Sequence, residues 1–182
     1  MAAGSPTKDV KDPNYRNWLK VSLSLWYMKR ALHLFVRNEV GLMHTFLLQK
    51  IYGGQAVPQT RCTSCSASNI NQNRYTRAWE LGSPPCPMLC HVWLSELLNL
   101  RLNSGSDRIY WRNCDVTYWP FSPWECAKAF MPRGQQPSNK GPDDTDAQAI
   151  LTLISNCKHF HGKLTSQGLK QTHSVSTVRN IV

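Results

Sequence analysis

The sequence predicts a mainly α-helical fold with a partly irregular insertion that carries cysteines, and three observations favour this class. Apolar residues recur at helical spacing over residues 14–52, a proline-led helix start follows Ser122, and a second apolar stripe covers residues 147–157. Charged residues are 18% and apolar residues 41% of the 182-residue chain, which is the composition of a globular protein. A chain of this length has room for one real core, so we expect residues 12–182 to form a single helical domain.

The N-terminal helical element spans residues 12–54 and follows a leader, residues 1–11, that we expect to be flexible. Asp12 can cap the helix, and Pro13 suits its first position because proline has no backbone N–H to leave unpaired. Gly41 is the one breaker inside the apolar pattern, and the two glycines at positions 53 and 54 stop it. We therefore expect one long helix, bent near Gly41, or two consecutive helices.

The insertion covers residues 55–122 and begins with a polar, irregular stretch up to Pro87. A short helix is predicted after it, from about Leu89 to Leu102, because leucines return at helical spacing. The end of the insertion is rich in tyrosine and tryptophan, which favour extended backbone. A short extended segment or hairpin is therefore expected just before Ser122.

Aromatic side chains concentrate between Trp111 and Gly134, and this segment is predicted to form the centre of the core. It holds three of the seven tryptophans, and each ring buries roughly 150 to 250 Å² when it packs. The predicted aromatic core residues are Trp93, Trp111, Trp119, Trp124 and Phe130.

The C-terminal helices occupy residues 123–182, and the first is predicted from about Pro123 to Met131. Ser122 can cap it, and Glu125 stands where a capping-box carboxylate reaches back to the cap.

A second C-terminal helix can be capped by Asp143 or Asp144. Residues 158–173 are expected to be a linker, and Ser174 or Ser176 can cap a last helix that the chain cuts short. The predicted apolar face of the second helix consists of Ala147, Ile150, Leu151, Ile154 and Cys157.

The charge balance favours a polyanionic partner, namely RNA, DNA or an acidic membrane face. Lysine and arginine outnumber aspartate and glutamate by 21 to 11, which gives a net charge of +10 and a pI near 9.5. A basic surface with no specific partner is the alternative interpretation. The predicted polyanion-binding residues of the first helix are Arg16, Lys20, Lys29, Arg30 and Arg37.

No stretch reaches the roughly 18 uninterrupted apolar residues of a membrane span. The N-terminus also lacks the apolar region of a signal peptide, so we expect an intracellular protein, cytoplasmic or nuclear. In such a compartment the seven cysteines are expected to be metal ligands or free thiols instead of disulfides.

Two short-spaced cysteine pairs predict a structural zinc site with no open catalytic position. Cys62 and Cys65 form a CxxC, Cys86 and Cys90 form a CxxxC, and zinc takes four thiolate or imidazole ligands. Cys114 is a competing ligand, and buried free thiols are the alternative interpretation. His91 is a weaker competitor, while Cys126 and Cys157 fall on apolar helix faces and are expected to be core residues.

Arg37 and His44 are weak candidates for catalytic residues. They lie about two helical turns apart, so both could reach one phosphate. Incidental surface residues are the alternative interpretation of this spacing.

The segments NYRNW, FVRNEVGLMH, WRNC and WPFSPWECAKAFMPRG resemble the vertebrate chromosome X open reading frame 38 family over nearly the whole chain. The most specific segment is WECAKAFMPRG. The resemblance implies that Cys62 stands alone in the family, which favours Cys62, Cys86, Cys90 and Cys114 as zinc ligands, with Cys65 as the alternate. The family has a CxxC where this chain has a CxxxC.

The C-terminal segments DAQAILTLISNC and VSTVRN also resemble the HEPN domain of the DAZ-interacting zinc-finger ubiquitin ligase. This resemblance implies a HEPN-like helical bundle that can dimerise, and many HEPN domains are metal-independent ribonucleases with an Arg-x(4–6)-His motif. Arg179 and Asn180 match the start of that motif, but its histidine would fall beyond Val182.

Three functions are therefore predicted for the chain. The first is a non-catalytic HEPN-like module that binds RNA or another polyanion. The second is a scaffold for protein interaction or homodimerisation. The third is a metal-independent endoribonuclease in a longer form of the chain, in which arginine holds the phosphate and histidine is the general acid or base.

Overall fold

The computed structural model describes residues 11–66, 70, 86, 88–102, 110–135 and 138–166, and it confirms a mainly α-helical fold. The predicted leader, apart from Lys11, and the predicted last helix lie outside these residues. No strand occurs within them, and their isolated β-bridge joins Arg101 to Cys157. The α-helices are α1 (Pro13–Tyr52), α2 (Cys90–Asn99), α3 (Pro123–Lys128), α4 (Ala147–Asn156) and α5 (Lys158–Ser166).

Helix α1 is one uninterrupted helix of 40 residues, about 60 Å long. Asp12 caps it, because its carboxylate accepts the Asn14 N–H at 2.9 Å, and Pro13 takes the first position. Gly53 ends it in the left-handed conformation, with φ of 59°, and donates its N–H to the Gln49 carbonyl. Gly41 does not divide the helix, since a single glycine costs only about 1 kcal/mol and the flanking residues pack.

The core forms around the C-terminal half of α1, against which each of the other four helices packs. The α1 side chains that enter the core begin at Val36 and include Met43 and Leu47, both fully buried. The largest of the other fully buried apolar side chains are Trp93 from α2, Trp119 before α3 and Phe160 from α5.

The first half of α1 projects from this core. No side chain between Pro13 and Ala31 is buried, and we call these residues the arm. At 1.5 Å per residue the arm is about 28 Å long.

The extended segment or hairpin predicted before Ser122 does not form. The chain instead makes two 3-10 turns, Trp111–Asn113 and Val116–Tyr118. The Asp115 carboxylate accepts the Thr117 N–H at 3.0 Å and the Thr117 hydroxyl at 2.6 Å. This local bonding favours a turn over extended backbone despite the β propensity of the aromatic residues.

Helix α3 begins at Pro123 with Ser122 in the N-cap position, both as predicted, but the predicted side-chain cap bonds do not form. Ser122 makes no side-chain cap bond, and the Glu125 carboxylate accepts the Asp115 N–H at 2.8 Å instead. The regular helix also ends at Lys128, three residues before the predicted Met131, and the next residues make tighter turns.

Helix α4 starts later than predicted, because Asp146 and not Asp143 or Asp144 is its cap. Its buried face also differs from the predicted one at Leu151, which is 38% exposed, whereas Ile150, Ile154 and Cys157 are buried as predicted. The buried face consists of Ala149, Ile150, Leu153 and Ile154.

The linker predicted after α4 is largely a helix. Residues 158–166 form α5, and Phe160 packs edge-on against Phe35, with ring centroids 6.0 Å apart. The sequence offers one large apolar side chain near the start of this segment, too little to show a helical stripe.

Candidate functional site

Four cysteine sulfurs converge at the C-terminal end of α1. Cys62 and Cys65 lie in the loop after α1, Cys86 precedes α2, and Cys90 is the first residue of α2. The four Sγ atoms all lie within 4.8 Å of one another, so the group can hold a metal ion. We call these residues the tetracysteine group.

The local backbone brings both pairs together. The Cys65 N–H donates to the Cys62 sulfur at 3.3 Å, which folds the CxxC into a turn. Leu89 adopts the left-handed conformation, with φ of 52°, and its N–H bonds to the Cys86 carbonyl. This turn sets Cys86 beside Cys90, with their sulfurs 3.6 Å apart.

The donor set fits a tetrahedral metal. Zinc–sulfur bonds of about 2.3 Å in a tetrahedron place sulfurs about 3.8 Å apart. The Cys62 and Cys86 sulfurs lie 3.3 Å apart, and the whole set stays within the 4.8 Å limit. Three of these cysteines are buried and Cys65 is half-buried, and four protein ligands complete a tetrahedron without an open position for a substrate.

The pKa is lowered for one thiol of the tetracysteine group and raised for two others. Burial raises the pKa of Cys62, but hydrogen bonds from Ser64, Cys86 and the Cys65 N–H outweigh it and lower the pKa to about 6. Burial, and then the neighbouring Cys62 and Cys86, raise the pKa of Cys65 to about 12. Burial also raises the pKa of Cys90. Four thiolates at these distances repel one another, and a dication offsets that repulsion.

Cys114, which the family resemblance favoured as the fourth ligand, does not join the group. Cys114 and Cys65 both line a cavity of about 650 Å³, but the Cys114 thiol faces α3, where burial and the Glu125 charge raise its pKa. His91 is also outside the group, and Cys126 and Cys157 are fully buried in the core.

Among the predicted aromatic core residues, Trp93 and Trp119 are fully buried. Trp124 and Phe130 are 4% and 3% exposed, so they too are core residues. The Trp111 side chain lies outside the described atoms.

The structure does not bring Arg37 and His44 together at one phosphate. The His44 ring is buried, stacks on Trp93 at 5.6 Å between centroids, and places Nε2 2.7 Å from the Trp119 carbonyl. Burial lowers the His44 pKa, although that backbone bond opposes the shift. Arg37 lies at the surface and pairs with Asp143 at 2.5 Å. Arg179 and Asn180 lie outside the described residues.

The predicted polyanion-binding residues lie along the arm and just beyond it. Arg16, Lys20, Arg30 and Arg37 are exposed, and Lys29 is half-buried. Between Pro13 and Asn38 the sequence contains these five basic residues and no acidic residue.

Two buried charge clusters were not predicted from the sequence. Lys128 is fully buried, with its Nζ 2.6 Å from Glu125. Glu39 is contacted by both His159 and Lys163 of α5. The i, i+3 and i, i+4 spacings of Glu125–Lys128 and His159–Lys163 were the available signals, but such pairs are common on solvated helices.

Among the described helices, none combines the length and apolarity that a membrane crossing requires.

Comparison with known proteins gives one family and one relative. A family model described as "Domain of unknown function (DUF4559)" matches residues 9–182. The mouse "Uncharacterized protein CXorf38 homolog" is 35% identical over 146 residues, which are 80% of this chain but 42% of the mouse protein. This agrees with the resemblance to the chromosome X open reading frame 38 family. No solved structure matches the chain, so the HEPN resemblance stays a prediction.

Proposed function

The chain belongs to the family described as domain of unknown function DUF4559, and we propose that it is a zinc-ordered, non-catalytic helical module that binds RNA or another polyanion. The observation that carries this proposal is the arm, a projecting helix with basic side chains and no acidic one. The HEPN-like bundle is part of the same proposal, supported by the packing of four helices around α1.

The charge of the arm suits a phosphate backbone. Arg16, Lys20, Lys29 and Arg30 spread over about four turns of helix, and the first acidic residue of α1 is Glu39, far from them. Basic side chains on a projecting helix can approach a polyanion without a clash from the core. Each phosphate that they neutralise releases condensed counterions, which provides affinity and makes it depend on salt.

Zinc is the metal that suits the tetracysteine group best. Four thiolates form a closed tetrahedral set that selects zinc over oxygen-preferring cations such as magnesium and calcium. The ion would tie the loop after α1 to the start of α2. Its role is therefore structural, and it holds the core end of α1 in place while the arm projects from the other end.

A non-catalytic role is supported by the placement of the candidate catalytic residues. General acid–base catalysis needs both groups within hydrogen-bond reach of the substrate, and the His44 ring is enclosed by Trp93 and the Trp119 carbonyl. An intracellular location, in the cytoplasm or nucleus, is supported by the tetracysteine group, because thiols that hold a metal persist in a reducing compartment.

RNA binding should be measured by filter binding at about 50 and 200 mM salt, with the zinc-loaded full chain. We expect affinity that falls with salt. Replacing Arg16 and Lys20 together by glutamine should make the slope of log K against log salt shallower by about 1.4, since each lost phosphate contact removes about 0.7. The matched control replaces Arg133 and Lys140, two exposed basic residues outside the arm, and should leave the slope unchanged.

Absence of binding at low salt would contradict the proposal, and so would affinity that does not respond to salt. An equal loss of slope in the control pair would show that net charge acts instead of the arm.

The alternative function, a scaffold for protein interaction or homodimerisation, is favoured by exposed apolar side chains on α1. Trp18 is 61% exposed, Val21 and Tyr27 are each 59% exposed, and Leu34 is 68% exposed. Sedimentation velocity tests the homodimer: a dimer that Trp18→Ala and Leu34→Ala dissociate would support the scaffold, and a monomer at all concentrations would oppose self-association.

A further inference from the structure

A small pocket lies where the arm meets the rest of the molecule. It has a volume of about 370 Å³ and is lined by Trp26, Lys29, Arg30, His33 and Asp143. The first four residues follow one another at i, i+3, i+4 and i+7, so they share one face of α1. Asp143 reaches this face from the loop before α4. We call this site the Trp26 pocket.

The Trp26 pocket already binds an anionic group. The Asp143 carboxylate lies 2.6 Å from His33 Nε2 and 2.5 Å from an Arg37 nitrogen. Lys29 Nζ donates to the Asp143 backbone carbonyl at 2.7 Å. The hydrogen bond with His33, together with the charges of His33, Arg37 and Lys29, lowers the pKa of the Asp143 carboxyl. The oxygens of an anion therefore sit among three basic side chains.

The Asp143 carboxylate can be displaced. Its side chain is 62% exposed, and Asp143 does not cap α4, so no helix depends on it. Exposed ion pairs are weak, because water and salt screen both partners. A phosphate carries more charge than a carboxylate and has more acceptor oxygens, so it can replace the carboxylate among these basic side chains.

The exposed indole of Trp26 lies beside these basic side chains. Trp26 is 50% exposed, and the Arg30 guanidinium lies 5.4 Å from its ring centroid. Proteins that bind single strands combine a basic track with aromatic rings on which bases stack. Double-stranded RNA keeps its bases stacked inside the helix, so it offers no free base face to Trp26.

We propose that the Trp26 pocket takes one nucleotide of single-stranded RNA, with the base on Trp26 and the adjacent phosphate among Lys29, His33 and Arg37 in place of Asp143. This inference rests on the proposed function and specifies its substrate class. The pocket volume lies within the roughly 300 to 1,000 Å³ of small-ligand sites.

An anionic membrane surface is a different partner for a basic, aromatic helix, and the distribution of side chains disfavours it. An interfacial helix keeps its apolar residues on one face. At 100° per residue, Tyr27 and Leu34 point about 80 to 100° away from Trp26, and Phe46 points about 160° away from it. These three residues are all more than half exposed.

The test uses fluorescence anisotropy with a labelled oligouridine RNA and the zinc-loaded full chain, and heparin and double-stranded RNA serve as competitors. Trp26→Ala should weaken oligouridine binding by about 5-fold to 150-fold, the effect of losing one base–aromatic stack. Its affinity for heparin should not change, since heparin has no bases. Trp18→Ala removes a tryptophan that is outside the pocket and even more exposed, at 61%, and it should have a smaller effect.

Asp143→Asn is a second, independent test, and it should change the affinity for oligouridine in the opposite direction to Trp26→Ala. It removes the competing negative charge, and oligouridine affinity should rise by about twofold to fivefold. Circular dichroism checks that each variant keeps its helical content.

The outcomes separate this inference from the proposed function. Binding of heparin and oligouridine with equal strength, unchanged by Trp26→Ala, would overturn the Trp26 pocket and leave polyanion binding intact. An equal loss from Trp18→Ala, or no gain from Asp143→Asn, would also overturn it. No binding to any polyanion would remove the proposed function first, and preferential binding to anionic vesicles would identify a membrane partner.

Discussion

Replacement of Cys65 and of Cys114 by serine distinguishes between the two candidate fourth ligands of the metal. The sulfur of Cys65 lies in the tetracysteine group, whereas the Cys114 thiol faces α3. We therefore expect Cys65→Ser to lose stoichiometric zinc and Cys114→Ser to retain one zinc ion per chain. The family resemblance predicts the reverse result.

Zinc stabilises the fold by mass action, because it binds the folded chain and not the unfolded one. If free zinc is about 1,000-fold above its dissociation constant, binding adds about 4 kcal/mol to the free energy of unfolding. For a domain of this size each kcal/mol shifts the melting temperature by about 2 to 4 °C. Chelation of the wild-type protein should therefore lower the melting temperature by about 8 to 16 °C, and chelation of Cys65→Ser should change it little.

Elemental analysis of the purified protein, followed by thermal melts with and without EDTA, measures both quantities. Cys114 is buried, so Cys114→Ser can lower the melting temperature by burying a hydroxyl; its zinc content is the readout that separates this effect from loss of a ligand. Zinc retained by Cys65→Ser and lost from Cys114→Ser would refute the assignment, as would wild-type protein that binds no zinc from a zinc-supplemented medium.

Three further predictions concern stability and are measured by urea unfolding. Lys128→Met should destabilise the fold by about 3 to 5 kcal/mol, because it leaves the Glu125 carboxylate buried without its cation, and adding Glu125→Gln should recover part of the loss. Phe160→Ala should cost about 3 to 5 kcal/mol because the ring is fully buried in α5, whereas Leu151→Ala, at a 38% exposed position, should cost well under half of that; equal losses would contradict the packing of α5. Burial lowers the His44 pKa, so the unfolded chain takes up the proton first, and stability should fall as pH drops below about 6.5; His44→Gln should flatten this dependence, and an unchanged slope would contradict it.

The sequence predicted those parts of the structure that depend on bonds between neighbouring residues. The Asp12 cap, Pro13 and the glycine stop define α1 within one residue of the prediction, because each acts through contacts a few positions away. The two cysteine pairs were also visible, since a CxxC turn is built from neighbouring residues. The class of the fold follows from these elements.

Contacts between distant segments account for the errors. Asn113 donates to the carbonyls of Lys128 and Pro132, at 3.4 and 2.8 Å, which caps the end of α3 from 15 or more residues away. The Glu125 carboxylate does not cap α3 and instead accepts hydrogen bonds from the Asp115 N–H and the Lys128 ammonium. No spacing rule gives such partners, because they depend on how the turns before α3 fold back onto it.

Tertiary structure also decides whether Cys65 or Cys114 is the fourth cysteine of the ligand set. Both residues line the same cavity, so sequence separation alone does not rank them. Cys114 lies between the two 3-10 turns, where the sequence pattern favoured extended backbone, and only the folded structure shows that its sulfur lies outside the tetracysteine group.

The tetracysteine group lies at the C-terminal end of α1, whereas the Trp26 pocket lies near the middle of the helix, and this separation gives them different roles. From Trp26 to Tyr52 the helix rises about 39 Å. At the far end, the Tyr52 hydroxyl donates to the Met88 carbonyl at 3.3 Å and accepts the Trp93 N–H at 3.3 Å, which ties α1 to the loop that carries Cys86 and Cys90. Because the arm makes no buried contact of its own, its orientation depends on the packing of the other half of the same helix. A tightly held core end is therefore the physical condition for a rigid, exposed, basic arm.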